Sequence, residues 1–177
     1  EYHHKLRFVR LAERLGLPVP ESHGAETPAA RELADAERTV VKPVLGSAGH
    51  GLVVLEPGDP LPEPDVPLVV QRWLPGPELS SFSITHLGRV IGTVVYRGLV
   101  LSTSVAVCFE VLRDPPADVL AWVEAFAAAT GHSGCLAFDF RLDEHGRAHA
   151  IECNPRTTSG VHFVEPADLA RALLEPA

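Results

Sequence analysis

An α+β fold of two lobes sharing one cleft is predicted by three observations. Apolar residues recur at helical spacing in segment 5–15 and helix-end signals mark 27–35 and 114–130, β-rich runs joined by turn residues fill most of the rest, and prolines bracket the strand that ends near Leu74. At 177 residues, 46% hydrophobic and 21% charged, the chain can bury a core as one domain or two small lobes.

The elements follow in order. Phe8, Leu11, Ala12 and Leu15 line one face of a first helix, which Gly16 and Pro18 end. A polar loop over 21–26 leads to Thr27 and Pro28, an N-cap and first position for a short helix to about Asp35. Segments 39–44 and 51–55 read as strands joined by a glycine-rich loop. After a proline-rich connection, 68–74 reads as a strand closed by the Pro75-Gly76-Pro77 turn. Segments 80–85 and 89–96 form a hairpin about Leu87-Gly88, 100–109 a further strand or strand pair, and 114–130 a helix that Gly131 ends. Segments 135–142 and 147–154, joined by the Asp143–Gly146 turn, form the best-defined hairpin.

Composition excludes several classes. Fifteen Lys and Arg against 23 Asp and Glu leave a net charge of −8, with no general pull toward nucleic acid or anionic lipid. No apolar run reaches the ~18 residues of a membrane span. Three cysteines, without a C-x-x-C pair, read as reduced and structural, which places the protein in the cytoplasm. A start at Glu1 and the lack of methionine read as a piece of a longer protein.

Three segments carry chemistry. If Asp143 and Gly146 face one another, Asp139 lies opposite Ala150, Ala137 lies opposite Glu152, and alternation puts Asp139, Glu152 and Asn154 on one face. Leu136, Phe138, Phe140, Leu142, Ile151 and Cys153 take the other face, suited to packing under a helix. The polar trio is either a hard-oxygen site for a divalent cation that also binds phosphate, or a solvent-facing edge. Lys42, followed by Gly46-Ser47-Ala48-Gly49-His50-Gly51, joins a cation to glycines whose N–H groups can converge on phosphate; the plain alternative is a hairpin loop with a surface lysine. It is neither a Walker A loop nor a dinucleotide fingerprint, since no Gly-Lys-Ser/Thr ends it and a strand follows. Gln71-Arg72-Trp73-Leu74 and then Glu78 either present backbone groups to a flat heterocycle and a carboxylate to ribose hydroxyls, or form an exposed turn.

In this order and spacing the segments resemble the ATP-grasp superfamily over nearly the whole chain. The resemblance implies two α+β lobes with mostly antiparallel sheets: a leading helix (1–20), a lid lobe (21–73) and a larger metal-bearing lobe (74–177), with a preceding N-terminal domain missing. Lys5 and Lys42 are similar to the family's two nucleotide lysines, and Gly46, Ser47, Gly49, His50 and Gly51 to its phosphate lid loop. Gln71, Arg72, Trp73 and Leu74 resemble the adenine hinge, Glu78 the ribose carboxylate, and Asp139, Glu152 and Asn154 the magnesium or manganese ligands. Arg156, in Glu152-Cys153-Asn154-Pro155-Arg156, is like the arginine that faces the transferred phosphoryl group in biotin carboxylases and carbamoyl phosphate synthetases, so Lys42 and Arg156 are the expected catalytic cations.

The implied function is an Mg-ATP-dependent ligase that activates a carboxylate as an acyl phosphate for attack by an amine. Its expected partners are small-molecule substrates, with no nucleic acid and no membrane, and a homodimer is the assembly to test for. A carboxylase or carbamoyl phosphate synthetase-like component and a regulatory nucleotide-binding module without turnover are the alternatives. Ala137 stands where D-alanine ligases carry arginine, which argues against that substrate class, and Gln71 stands where many relatives have Glu. Arg97, Arg113 and His162 are the further candidates for contact with an acceptor.

Overall fold

Helix α1 (Lys5–Arg14) begins where the His4 ring accepts the Arg7 N–H at 3.3 Å, and its C-terminal turn closes through Gly16 at φ +70°. The computed structural model describes residues 2–46, 51–63, 65–102 and 105–175. Next come β1 (Ser22–Gly24), α2 (Pro28–Ala36), β2 (Thr39–Pro43), β3 (Val53–Leu55) and β4 (Leu68–Arg72). The four strands form an antiparallel sheet in the order β1-β4-β2-β3. Thr27 Oγ1 caps α2 by accepting the Ala30 N–H at 3.2 Å, and Ala30, Leu33 and Ala34 pack onto Val41, Leu55, Leu68 and Val70. Strand β1 lies inside the segment expected as a polar loop. Its three residues, Ser22, His23 and Gly24, have no apolar alternation to read, and pairing with Gln71, Val70 and Val69 makes them a strand.

The second sheet holds β5 (Glu78–His86), β6 (Arg89–Ser102), β7 (Val105–Val111), β8 (Gly134–Leu142) and β9 (Ala148–Asn154), antiparallel in the order β7-β6-β5-β8-β9. Helices α1 and α3 (Ala117–Thr130) cover one face. Phe8, Trp122, Phe126, Phe138 and Phe140 meet there with ring centroids 4.7–6.0 Å apart, in offset and edge-on arrangements. Trp122 Nε1 donates to Pro18 O at 2.9 Å, so the indole is buried without an orphaned donor. On the opposite face, Phe82, Ile84, Tyr96 and Ala137 lie under a 3₁₀ turn (Ser159–Phe163) and α4 (Pro166–Leu174). No helix among the described residues is long and apolar enough to cross a membrane.

The β8–β9 hairpin departs from the expected register. The Asp143 N–H donates to Arg147 O at 2.9 Å, Phe140 faces Ala150, and Ile151 is then an extra residue on β9, so that Asp139 faces Glu152 and Ala137 faces Asn154. Ala150 is therefore fully buried in the α1–α3 core, not beside Glu152 as expected, and Ile151 lies outside the fully buried core. Without this bulge, alternation from Ala150 would turn Glu152 into the Phe138 face.

Gly160 marks the tightest approach of the 3₁₀ turn to the sheet: an added Cβ would press on Phe82 Cβ and lie 2.8 Å from Tyr96 Cε1. Gly160→Ala is expected to destabilise the fold by ~1–3 kcal/mol, with a Tm fall of roughly 2–4 °C for each kcal/mol. Thermal unfolding followed by circular dichroism checks this; an unchanged Tm would show that the turn is not packed on Tyr96.

Candidate functional site

Strand pairing aligns Tyr96, Ser80, Asp139 and Glu152 in one row across β6, β5, β8 and β9, on the face away from α1 and α3. Ser80 Oγ donates to Asp139 Oδ1 at 2.7 Å, Asn154 Nδ2 donates to Asp139 Oδ2 at 3.2 Å, and Arg156 donates to Asn154 Oδ1 at 3.2 Å. Burial, opposed by the Ser80 bond and reinforced by the Glu152 charge, pushes the Asp139 carboxyl up to about 7.

Two lysines reach this row from other elements. Lys5, the first residue of α1, is 4% exposed; its Nζ donates to Gly46 O at 3.0 Å and lies 3.5 Å from Glu152 Oε2. Lys42, on β2, is 7% exposed and donates to Gln71 Oε1 at 3.0 Å and to Ile151 O at 3.3 Å. The pleat explains this aim. Val41 and Val70 pack under α2, so Lys42 and Gln71 take the opposite face, toward the large sheet. Burial pushes the Lys42 ammonium down to about 8 despite the attraction of Glu152. Gln71 is held in turn by Ser22 Oγ, which accepts its Nε2 at 2.9 Å and donates to Pro20 O at 2.8 Å. The unanticipated strand β1 thus positions Gln71.

The remaining candidates differ in how near they lie to this centre. The Arg72 guanidinium bonds Glu37 and Glu21 at 2.6 and 2.8 Å, so its charge is turned away from the Asp139 row. Trp73 lies under Arg38 and Arg141, with the guanidinium carbons 4.7 and 4.1 Å from the ring centroid. Leu74 is buried, and Glu78 is exposed directly across from Arg141. Gly51 has φ +71°, and a Cβ there would lie 3.1 Å from Pro43 Cγ, so the chain leaving the glycine loop needs glycine at this point. Ser47, Gly49 and His50 lie outside the described residues. Arg156 is exposed next to Asn154. Arg97 projects to the helix-bearing face and bonds Glu110 at 2.7 Å, so it does not join the Asp139 row. Arg113 is exposed, and His162 is exposed beside Val111 and Phe163 in a surface groove. Burial raises the Cys153 and Cys135 thiols, which disfavours the thiolate form at both.

Sequence reasoning missed Ser80, Tyr96 and Arg141. A serine, a tyrosine and an arginine in strands carry no motif, and only the cross-strand register brings them to the site. Among the described residues no group of three His, Cys, Asp or Glu side chains is arranged to hold a metal. Two facing carboxylates with an adjacent amide oxygen do fit magnesium, which takes one or two carboxylates and completes its shell with water and substrate phosphate.

The sequence matches the model of the ATP-grasp domain family over residues 2–160. The chain belongs to the ATP-grasp family. Its fold is similar to that of the ATP-grasp ligase PsnB solved with a minimal precursor, Mg and ADP, at 23% identity and TM-score 0.70, covering 97% of this chain and 57% of that one. An L-amino acid ligase from Bacillus licheniformis aligns at 18% identity and TM-score 0.62, covering 90% of this chain and 41% of that one. The biotin carboxylase domain of a 2-oxoglutarate carboxylase from Hydrogenobacter thermophilus, solved with MgADP, ADP and bicarbonate, aligns at 14% identity and TM-score 0.68, covering 97% and 45%. This ATP-grasp chain therefore spans about half the length of these structures. No curated protein matches it.

The buried Lys42 makes a stability prediction with a definite sign. Its folded pKa lies below the unfolded 10.5, so between about pH 8 and 10.5 the unfolded chain binds the extra proton and stability from this group rises with pH. In Lys42→Met the loss of two hydrogen bonds is a pH-independent offset. Relative to wild type, the variant should lose up to about 3 kcal/mol between pH 7 and 10.5. Urea unfolding of both proteins across this range measures the difference, and a flat difference would show that Lys42 is not a buried cation.

Proposed function

We propose that the chain binds Mg-ATP between its two sheets and uses it to activate a carboxylate for attack by an amine. The observation that carries this reading is the meeting of two buried lysines, Lys5 from α1 and Lys42 from the small sheet, with the facing carboxylates Asp139 and Glu152 of the large sheet. Polyphosphate suits such a place: its oxygens can face the ammonium groups while the carboxylates share a divalent cation with it.

Lys42 and Lys5 hold the phosphates, with Gly46 and Gly51 bordering that end of the cleft. The hinge from Gln71 to Leu74 takes the adenine, and Glu78 accepts from ribose hydroxyls. Asp139, Glu152 and Asn154 would hold the metal, which would offset charge on the phosphoryl oxygens. Arg156 faces the transferred group. A substrate carboxylate oxygen attacks the γ-phosphorus and ADP leaves; the amine then attacks the acyl carbon, and phosphate leaves with the former carboxylate oxygen. The chain supplies charge and position, and no side-chain nucleophile is needed.

The test is ADP formation by the full chain across a panel of carboxylic acids, with hydroxylamine as a trapping amine. Mg-ATP at about 100 times its Kd should raise the Tm by roughly 5 °C or more. An acid-dependent hydroxamate should form, and Asp139→Ala and Glu152→Ala should each lower turnover by about 100-fold or more. Turnover with bicarbonate alone would replace the ligase reading with a carboxylase, and binding without turnover for any acid would replace it with a regulatory module. No thermal shift with Mg-ATP would overturn nucleotide binding itself.

A further inference from the structure

The short segment that joins the two sheets is fastened more tightly than a connecting turn requires. The Trp73 N–H donates to Arg38 O at 3.0 Å, and Leu74 O accepts from the Arg141 guanidinium at 3.0 Å. The peptide between these two points carries the Leu74 N–H, for which the described residues provide no hydrogen-bond partner, although Leu74 is only 6% exposed. Beyond it the chain is clipped to the end of β8: the Gly76 N–H donates to Leu142 O at 2.9 Å, and the Leu142 N–H donates to Pro77 O at 3.2 Å. A Cβ at Gly76 would lie 2.5 Å from Leu142 O, so glycine is what permits this approach.

Arg141 is the side chain that makes the fastening. It is directly across from Glu78 in the β5–β8 register, yet among the described residues it forms no ion pair with that carboxylate. Its guanidinium lies 4.1 Å over the Trp73 ring and donates to Leu74 O. A planar cation can stack and donate at once, and this geometry uses both properties.

We propose that Arg141 is a positioning residue that sets which purine the hinge accepts, by holding the Trp73–Leu74 segment so that the Leu74 N–H stays in place as a donor. This rests on the nucleotide reading above. A fixed N–H donor complements adenine, whose N1 accepts a hydrogen bond, and opposes guanine, whose N1 carries a hydrogen. A site built around one hydrogen bond discriminates strongly against a base that cannot make it. Among the described residues Glu78 then has no cationic partner, which leaves its oxygens to accept from hydroxyl groups.

The experiment is calorimetric binding of Mg-ATP and Mg-GTP to the full chain and to its Arg141→Met, Arg141→Lys and Trp73→Phe variants, with the Tm of each measured alongside. Arg141→Met should weaken ATP about tenfold and narrow the ATP-to-GTP preference by a similar factor. Arg141→Lys, which keeps the charge and loses the fork, should fall between Met and wild type, and Trp73→Phe should retain most of the preference. Should the Met variant not fold, the Lys variant carries the same comparison. Unchanged affinity and preference in a folded Arg141 variant would overturn the inference. So would equal weakening of both nucleotides, since a merely structural role leaves their ratio alone. Wild-type protein that binds neither nucleotide would instead remove the nucleotide reading on which the inference stands.

Discussion

Two buried ammonium groups held against two facing carboxylates are the constraint around which this molecule is arranged. Lys5, Lys42, Asp139 and Glu152 come from three separate parts of the fold, and two of them resist burial: the ammonium of Lys42 is driven toward neutrality, and so is the carboxyl of Asp139. Neither displacement favours folding. Lys42 releases its proton more readily folded than unfolded, and Asp139 holds its proton more tightly, so both groups draw on stability supplied by the cores elsewhere. Anionic phosphate near the lysines and a divalent cation at the carboxylates would reverse both penalties, which is why the arrangement fits ligand binding better than structural support.

That meeting depends on one extra residue. The bulge at Ile151 lets β9 keep Ala148, Ala150 and Cys153 in the aromatic core while presenting Glu152 and Asn154 to the opposite side. It also aims the Ile151 carbonyl at Lys42 Nζ, so a backbone irregularity in the large sheet becomes a hydrogen-bond acceptor for the small one. The bulge thus serves both the packing of the core and the geometry of the site.

The two sheets are joined at further points. The Lys5 N–H donates to Val44 O at 3.1 Å, which ties the start of α1 to the end of β2. Arg141 and Leu142 grip the segment from Leu74 to Pro77. Trp73 lies beneath Arg38, which precedes β2, and Arg141 of β8, and Arg38 also pairs with Glu56 at 3.0 Å. The two sheets are therefore held together by these polar contacts as well as by the apolar cores beneath each of them.

Much of this was legible in the residues. Apolar spacing located α1, Thr27-Pro28 marked the start of α2, Pro115-Pro116 and Gly131 bracketed α3, and the Glu152-Cys153-Asn154-Pro155-Arg156 run, with Lys42 and its glycines, pointed to the family. These are local signals, because capping, periodicity and turn chemistry act over a few residues. Strand β1 was hidden because Ser22, His23 and Gly24 become a strand only through hydrogen bonds offered by β4, about fifty residues away. The place of Ser80 beside Asp139, the grip of Arg141 on Leu74 and the bulge that turns Glu152 outward were equally hidden, since each depends on which strand lies alongside and in what register. The sequence by itself determined most of the elements and the kinds of chemistry they could carry; tertiary structure alone decided which charges meet, because non-local pairing and burial set that outcome and leave no short-range pattern in the chain.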